Sequence, residues 1–185
     1  MTPMRQVNDE VLFTGAAITA VGRDEIEFLK QRAGLNRRKR IRLCAHADVT
    51  DAVHEMLIVH GREAYVRPHK HLNKTESYHV IEGEAGLLTY TDDGAVRQTI
   101  RLSEHPAAGA VFCRISGDVY HTLVFLSDYV VFHETTNGPF RREETIYAAW
   151  APSEEDTGAV GEFLERTQRH FGGLAESHRG RNRRA

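Results

Sequence analysis

The sequence has few cysteines and no long apolar run, and both features narrow the class of protein. Its 185 residues include two cysteines, Cys44 and Cys113, which lie far apart and form no CxxC pair. This spacing argues against a zinc knuckle or a redox dithiol and favours two buried thiols in a reducing compartment. No stretch approaches the ~20 apolar residues that span a bilayer, and the N-terminus has no apolar segment after a basic start. We therefore expect a cytoplasmic protein with no membrane partner.

The chain also lacks a strong excess of charge of either sign. Its formal net charge is -2, with 41% apolar and 27% charged residues, which is typical of a globular domain. A protein whose main task is to neutralise nucleic-acid phosphates would be more basic, so we expect no nucleic-acid partner. The length suits one domain with a substantial core.

Hydrophobic periodicity divides the chain into three parts. Residues 1–35 are interpreted as a loosely attached leader, with one short strand near Val11 to Phe13, followed by a helix in which Ile26, Leu29 and Ala33 recur at helical spacing. Residues 36–152 show no helical period. Residues 153–185 begin with a second helical pattern and end in a basic tail, Ser177 to Ala185, that we expect to be unstructured.

The middle part predicts an all-β fold. Short apolar runs alternate there with tight-turn sequences such as Asp92-Asp93-Gly94, and no helical pattern lies between them. Many short strands at this spacing indicate a sandwich or a barrel. The predicted strands are Ile41–Ala45, Val53–His60, Ala64–His71, Glu76–Ile81, Ala85–Thr91, Ala95–Leu102, Ala110–Ile115, His121–Leu126 and Tyr129–Thr135.

Three ligand-type side chains lie within eight residues of one predicted hairpin. Alternation along a strand places His69 and His71 on one face, and Glu76 opens the return strand. His121, in a distant predicted strand, would complete the set. Such a shell suits one divalent metal ion, and Fe, Mn, Zn, Ni and Co all fit it. The other interpretation is a strand with two solvent-facing histidines and no metal.

The same residues resemble a known family. His69-x-His71, Glu76 and Gly83 are similar to the first motif of the cupin superfamily, and Gly109 to His121 resembles the second motif. More specifically, residues 23–155 resemble the WbuC-type cupins. The segments that carry this likeness are Arg40–His46, His54–Leu57, Tyr65–His69, Tyr120–Leu123, Phe132–Pro139 and Trp150–Pro152.

The resemblance implies a fold and a biological setting. It implies a single cupin (jelly-roll) β-barrel, to which we add the N-terminal and C-terminal helices predicted above. His121 would complete the metal shell. The family is found among genes for lipopolysaccharide (O-antigen) biosynthesis, and association of cupins leads us to expect a homodimer.

Strand alternation also predicts pocket residues. If His69 and His71 point inward, Arg67 and Tyr65 do so on the same strand, and Tyr78 does so after Glu76. An inward arginine needs an anion, so Arg67 is the candidate for binding a substrate carboxylate or phosphate. If Pro68 breaks the alternation, Arg67 lies at the rim instead.

Further candidates come from the basic run and from the remaining histidines. Arg40 and Arg42 are either a solvated positive face or a binding site for an anionic group. His54 is a candidate for substrate binding. Tyr78 and His133 are candidates for acid–base catalysis, with a core or ligand-supporting role as the alternative for the tyrosine.

Three functions fit these residues. The first is an enzyme that uses the ion as a Lewis acid to isomerise or epimerise a sugar, a sugar nucleotide or another oxygen-rich anionic small molecule. The second is an Fe(II)-dependent oxygenase acting on a small acid. The third is a non-catalytic cupin that binds a sugar or an anion.

Overall fold

The computed structural model describes residues 3–172. Within that range there are two α-helices, α1 (Arg23–Leu35) and α2 (Thr157–Gln168), and twelve strands. The strands are β1 (Arg5–Asn8), β2 (Val11–Phe13), β3 (Arg40–Cys44), β4 (Val53–Gly61), β5 (His69–His71), β6 (Thr75–Glu82), β7 (Glu84–Tyr90), β8 (Val96–Ser103), β9 (Phe112–Ser116), β10 (Tyr120–Phe125), β11 (Tyr129–Asn137) and β12 (Thr145–Tyr147).

The strands pair as a nested series, which defines a jelly roll. β7 pairs with β8, β6 with β9, β5 with β10 and β4 with β11, and successive pairs alternate between two sheets. One sheet has seven strands in the order β1-β2-β3-β4-β11-β6-β9, and the other has five in the order β12-β5-β10-β7-β8. The predicted all-β jelly-roll fold, with a helix at each end of the barrel sequence, is confirmed.

The main core lies between the two sheets because strand side chains alternate between faces. Ile58, Leu87, Phe125 and Phe132 are among its buried members. Apolar side chains from both sheets thus exclude water from most of the interior, and the polar side chains that also point inward stand out against this background.

Helix α1 covers the outer face of the seven-stranded sheet. Leu29 and Ala33, fully buried, pack against Ile41 and Val59. Gly22, the residue before the helix, donates its backbone N–H to the Glu25 carboxylate at 2.9 Å. An acidic first turn suits the positive end of the helix dipole, so the sequence signals for this helix were sound.

Helix α2 covers the outer face of the five-stranded sheet. Phe163 is buried against Leu88 and Val124, and the Asp156 side chain caps the helix by accepting a hydrogen bond of 3.0 Å from the Ala159 N–H. None of the described helices is long and apolar enough to cross a bilayer. The predicted basic tail lies outside the described residues.

Two features of the first half of the chain differ from the sequence interpretation. The first 20 residues contain a hairpin, β1 and β2, and β2 adds to the barrel sheet by pairing in parallel with β3. The predicted strand Ala64–His71 is also shorter, because pairing begins only at His69. Since Pro68 has no N–H to donate, it cannot extend the ladder towards the preceding residues.

Candidate metal centre

Three histidines and one glutamate converge between the two sheets. His69 and His71 lie on β5, His121 on β10 and Glu76 on β6, and one donor atom from each lies within 4.8 Å of the others. His121 pairs directly with His69, so neighbouring strands place two imidazoles side by side. Glu76 faces them from the other sheet, with Oε1 3.0 Å from His71 Nε2 and Oε2 3.1 Å from His121 Nε2.

Hydrogen bonds at the far side of each ring turn the Nε2 atoms towards the cluster. His69 Nδ1 lies 2.8 Å from the Arg67 carbonyl oxygen, and His121 Nδ1 lies 2.9 Å from that of Val119. Because a carbonyl can only accept, each of these Nδ1 atoms carries a proton, so Nε2 is the ring atom that is left to bind a metal ion. His71 Nδ1 contacts the Thr145 hydroxyl at 3.0 Å. This is how metal-binding histidines are usually oriented.

The ionisation states also fit a divalent metal. Burial alone would raise the pKa of Glu76, but its hydrogen bonds with His121 and His71 outweigh burial and hold the pKa well below its usual value. Burial, with the nearby His121 and His71, lowers the pKa of His69 to about 3. The site therefore offers an anionic carboxylate and a neutral imidazole, which are the forms that bind metal ions. The cluster is consistent with one divalent ion.

Tyr78 lies beside the cluster, as the sequence predicted. Its hydroxyl donates to Glu76 Oε2 at 2.9 Å and lies 3.4 Å from His121 Nε2. Burial and the negative charge of Glu76 raise its pKa well above that of a free tyrosine, so it stays a phenol. In this position Tyr78 orients the Glu76 carboxylate.

Arg67 and Tyr65 are not brought to the cluster. Arg67 Nη2 donates to the carbonyl oxygens of Ala148 at 3.2 Å and Ala151 at 3.4 Å. Tyr65 packs against Phe163 in the outer core. The expectation of inward side chains required an unbroken strand, whereas β5 begins after both residues.

Arg40 and His133 are also directed elsewhere. Arg40 Nε forms an ion pair with Glu10 at 2.9 Å. His133 lies opposite Leu57, a residue packed under α1, so its side chain is on the outer face of the seven-stranded sheet. This placement does not fit a catalytic role at the cluster.

His54 and Arg42 lie on the inner face of the same sheet. His54 is opposite Thr136, and Thr136 is opposite Glu76, so His54 is two strands away from the cluster. Its Nε2 atom is buried and has no hydrogen-bond partner in the described chain. Arg42 alternates with the outward-facing Ile41 and Leu43, and it remains exposed.

Glu134 is a site residue that the sequence interpretation missed. It lies on β11 opposite Tyr78 and Met56, and therefore on the inner face. Burial and the negative charge of Glu76 raise its pKa to about 8, although the charges of Arg42 and Lys74 oppose the shift. A signal was present, because Glu134 is in phase with the apolar residues of its predicted strand.

Strand β12 was missed as well, and it borders the cluster. Thr145 is opposite His71 and Tyr147 is opposite His69, with the Tyr147 and His69 rings 6.1 Å apart. A strand of three residues among charged neighbours shows no alternation long enough to detect.

Comparisons with known proteins give the following. The family model described as a domain of unknown function, DUF6016, matches residues 21–102, and no curated protein sequence matches the chain. Among solved structures, a protein of Shewanella oneidensis is 12% identical with a TM-score of 0.48, and the match covers 67% of this chain and 77% of that chain.

Two larger proteins match over a part of their length. Procruciferin, the 11S globulin of Brassica napus, is 16% identical with a TM-score of 0.39, and the match covers 48% of this chain and 21% of that chain. Oxalate decarboxylase of Bacillus subtilis, which has Mn(II) centres, is 17% identical with a TM-score of 0.42, over 60% of this chain and 31% of that chain. Such distant likenesses say nothing of substrate or activity.

The fold and the site together define a class. The nested strand pairing is that of a jelly-roll β-barrel, and the cluster of three histidines and one glutamate inside it is consistent with one divalent metal ion. The narrower resemblance to the WbuC type stays a prediction.

Proposed function

We propose that the protein binds one divalent metal ion through His69, His71, Glu76 and His121 and acts on an oxygen-rich, anionic small molecule. The observation that carries this proposal is the convergence of the three imidazoles on Glu76, with the Nδ1 atoms of His69 and His121 held by carbonyl oxygens. A bound Fe, Mn, Zn, Ni or Co ion would polarise a carbonyl or hydroxyl oxygen of the molecule.

The side chains around the cluster suit such a molecule. Tyr78 holds a phenolic proton beside Glu76, and Glu134 lies opposite Tyr78. Lys74, only 6% exposed, and Arg42 are close enough for their positive charges to lower the pKa of Glu134. Positive charge around Glu134 favours a ligand with negative charge, for example a phosphate or a carboxylate.

The family resemblance and these groups together support a more specific proposal for the substrate class and the reaction. We propose a sugar or sugar nucleotide of surface polysaccharide (O-antigen) metabolism, with isomerisation or epimerisation as the reaction. Both reactions move a proton between atoms of one substrate, and the site has groups that can hold a proton beside the cluster.

The first test is the metal content of protein purified without chelator and without added metal. We expect close to one ion per chain in the wild type and far less in His71→Ala and His121→Ala, because each substitution removes one ligand. His79→Ala is the matched control, since His79 is an exposed histidine on the outer face of β6. Equal metal content in all four proteins would refute the site.

The second arm of this test uses the same proteins in a thermal-shift screen. Sugar phosphates, nucleotide sugars and small carboxylates should raise the melting temperature of the metal-loaded wild type by mass action, and less so that of His121→Ala. Ligands that stabilise both equally would point to binding without the metal. Turnover of a ligand only in the presence of oxygen would replace the isomerase proposal by an oxygenase.

A further inference from the structure

The inner face of the seven-stranded sheet presents polar atoms without partners next to the metal cluster. Among the described residues, the Glu134 carboxyl group makes neither a hydrogen bond nor an ion pair, although it points between the sheets. Thr136, two residues further along β11, is 7% exposed, and its buried hydroxyl has no hydrogen-bond partner either. Buried polar groups normally have partners, so the Thr136 hydroxyl calls for a ligand or water, and the unpaired Glu134 carboxyl group on the same face can contact the same ligand.

Their distance from the cluster is set by strand register. Thr136 is directly opposite Glu76, and Glu134 is opposite Tyr78, two residues further along β6. Glu134 is therefore diagonal to Glu76, and diagonal neighbours on one face of a sheet are roughly 7–8 Å apart. One small molecule can span that distance and contact both Glu134 and the metal ligands.

Glu134 also borders space that solvent can enter. It lies on β11, which is flanked by strands on both sides, and on the inner face, yet its exposure is intermediate rather than nil. Its neighbour Phe132 on the same face is almost completely buried. Solvent therefore reaches Glu134 but hardly reaches Phe132.

The charges around Glu134 are mixed. Burial, which disfavours the ionised form, and the negative charge of Glu76 both raise its pKa, whereas two cations lower it, and the result is about 8. Such a group gives or accepts a proton near neutral pH. The titratable and charged groups that act on it are Glu76 and Tyr78 from β6, Arg42 and Cys44 from β3, and Lys74 from the turn before β6.

We propose that Glu134 is the acid–base residue of this site, acting on a substrate held between its carboxyl group and the metal ligands, with the Thr136 hydroxyl as a further contact. This inference rests on the proposed function and names the group that moves the proton. The position of Glu134, within reach of the cluster and without a partner in the protein, supports it.

For a substrate with a hydrogen on the carbon next to a carbonyl group, the step balances without an oxidant. The Glu134 carboxylate takes the proton and forms an O–H bond as the C–H bond breaks. The C–H electron pair forms a carbon–carbon double bond, and the carbonyl oxygen takes up the negative charge. When the carbon that lost its proton also carries a hydroxyl group, return of the proton to the former carbonyl carbon, with transfer of the hydroxyl proton to the oxyanion, gives an isomer. Return of a proton to the opposite face of the carbon that lost it gives an epimer.

Cobalt-loaded protein tests this role without a known substrate, because the visible absorption of Co(II) responds to charge and protonation at the site. We expect Glu134→Gln to bind as much cobalt as the wild type. We also expect it to lack one pH-dependent spectral transition that the wild type shows. Glu55→Gln is the matched control, since Glu55 is an exposed glutamate on the adjacent strand β4. It should keep the transition.

A second variant and a second measurement complete the test. Glu134→Asp keeps a carboxyl group and should keep the transition with a shifted midpoint. In metal-free protein, the infrared band of a buried protonated carboxyl group should be present in the wild type and absent from Glu134→Gln. Each of these signals reports on Glu134 and not on activity.

The outcomes separate this inference from the proposed function. A wild type that binds no cobalt would overturn both. Identical transitions in the wild type and Glu134→Gln would overturn only the role of Glu134. Loss of cobalt from Glu134→Gln alone would make Glu134 a residue that supports the metal, and that would also overturn its assignment as the acid–base group.

Discussion

Histidine side chains illustrate how surroundings set the chemistry of a residue in this protein. His60 lies in the core, with its ring centroid 4.6 Å from that of Phe125 and 5.6 Å from that of Phe132. Burial, and to a smaller extent the charges of Arg42 and Arg38, lower its pKa to about 3. The ring is therefore neutral in the folded protein even at mildly acidic pH, where an ordinary surface histidine is protonated.

This difference predicts a pH dependence of stability. Because the pKa of His60 is 6.5 in the unfolded chain and about 3 when folded, the unfolded state binds the proton more readily between these values. The contribution of neutral His60 to the free energy of unfolding is complete above pH 6.5. It is lost as the pH falls, by up to ~1.4 kcal/mol per pH unit. Denaturant titrations of metal-free protein should show a shallower acid slope for His60→Met than for the wild type.

The control for this prediction is His105→Met. His105 has an exposed side chain, so its replacement should leave the acid slope unchanged. An equal slope for His60→Met and the wild type would mean that other groups cause the loss of stability in acid.

At the scale of single elements, strand length decided which site residues could be predicted. His69, His71, Glu76 and His121 were predicted together because alternation holds over two residues on β5 and because the motif spacing is specific. Extending the same alternation backwards predicted that the Arg67 side chain points into the barrel. The structure differs because ladder pairing stops at His69. Sequence shows local period well and strand ends poorly, because the ends depend on partners that come from elsewhere in the chain.

Strand β12 is the clearest example of a partner from elsewhere in the chain. It contacts His71, a proposed metal ligand, from about seventy residues further along. The Thr145 hydroxyl contacts His71 Nδ1 at 3.0 Å. Partners of this kind fix the orientation of a ligating imidazole, and their loss commonly weakens metal binding.

We therefore expect Thr145→Val, which keeps the side-chain shape and removes the hydroxyl, to weaken metal binding roughly 10–100-fold. Competition with a chromophoric chelator would measure the change. Thr99→Val, on the exposed part of β8, is the matched control and should bind metal like the wild type. If both variants bind equally well, Thr145 has no part in orienting His71.

At the scale of the whole molecule, the fold class could be predicted from the sequence. The way in which the helices and the N-terminal strands pack on the barrel could not. Many short strands without intervening helices predicted a sandwich or a barrel, and the family resemblance narrowed this to a jelly roll. No local pattern indicates that β2 pairs with β3, or that α1 and α2 cover opposite sheets. Glu134 marks the limit most clearly, since the role that we propose for it depends on register with β6, which only the assembled sheet defines.

The nested pairing also sets an order in which the chain can close during folding. β7 and β8 are joined by a short turn, with Tyr90 opposite Val96, whereas His69 and His121 have to meet across the intervening strands. Because long loops cost more entropy to close and non-local pairings form slowly, we expect β7 and β8 to pair first and the histidines to meet late.

An ion would therefore encounter a nearly finished barrel and be selected by its geometry, and not by an unfolded chain with scattered histidines. Refolding rates that do not change with added metal would agree with this order, and rates that rise with metal would contradict it. Metal selection would then be a property of the native state, separate in time from folding.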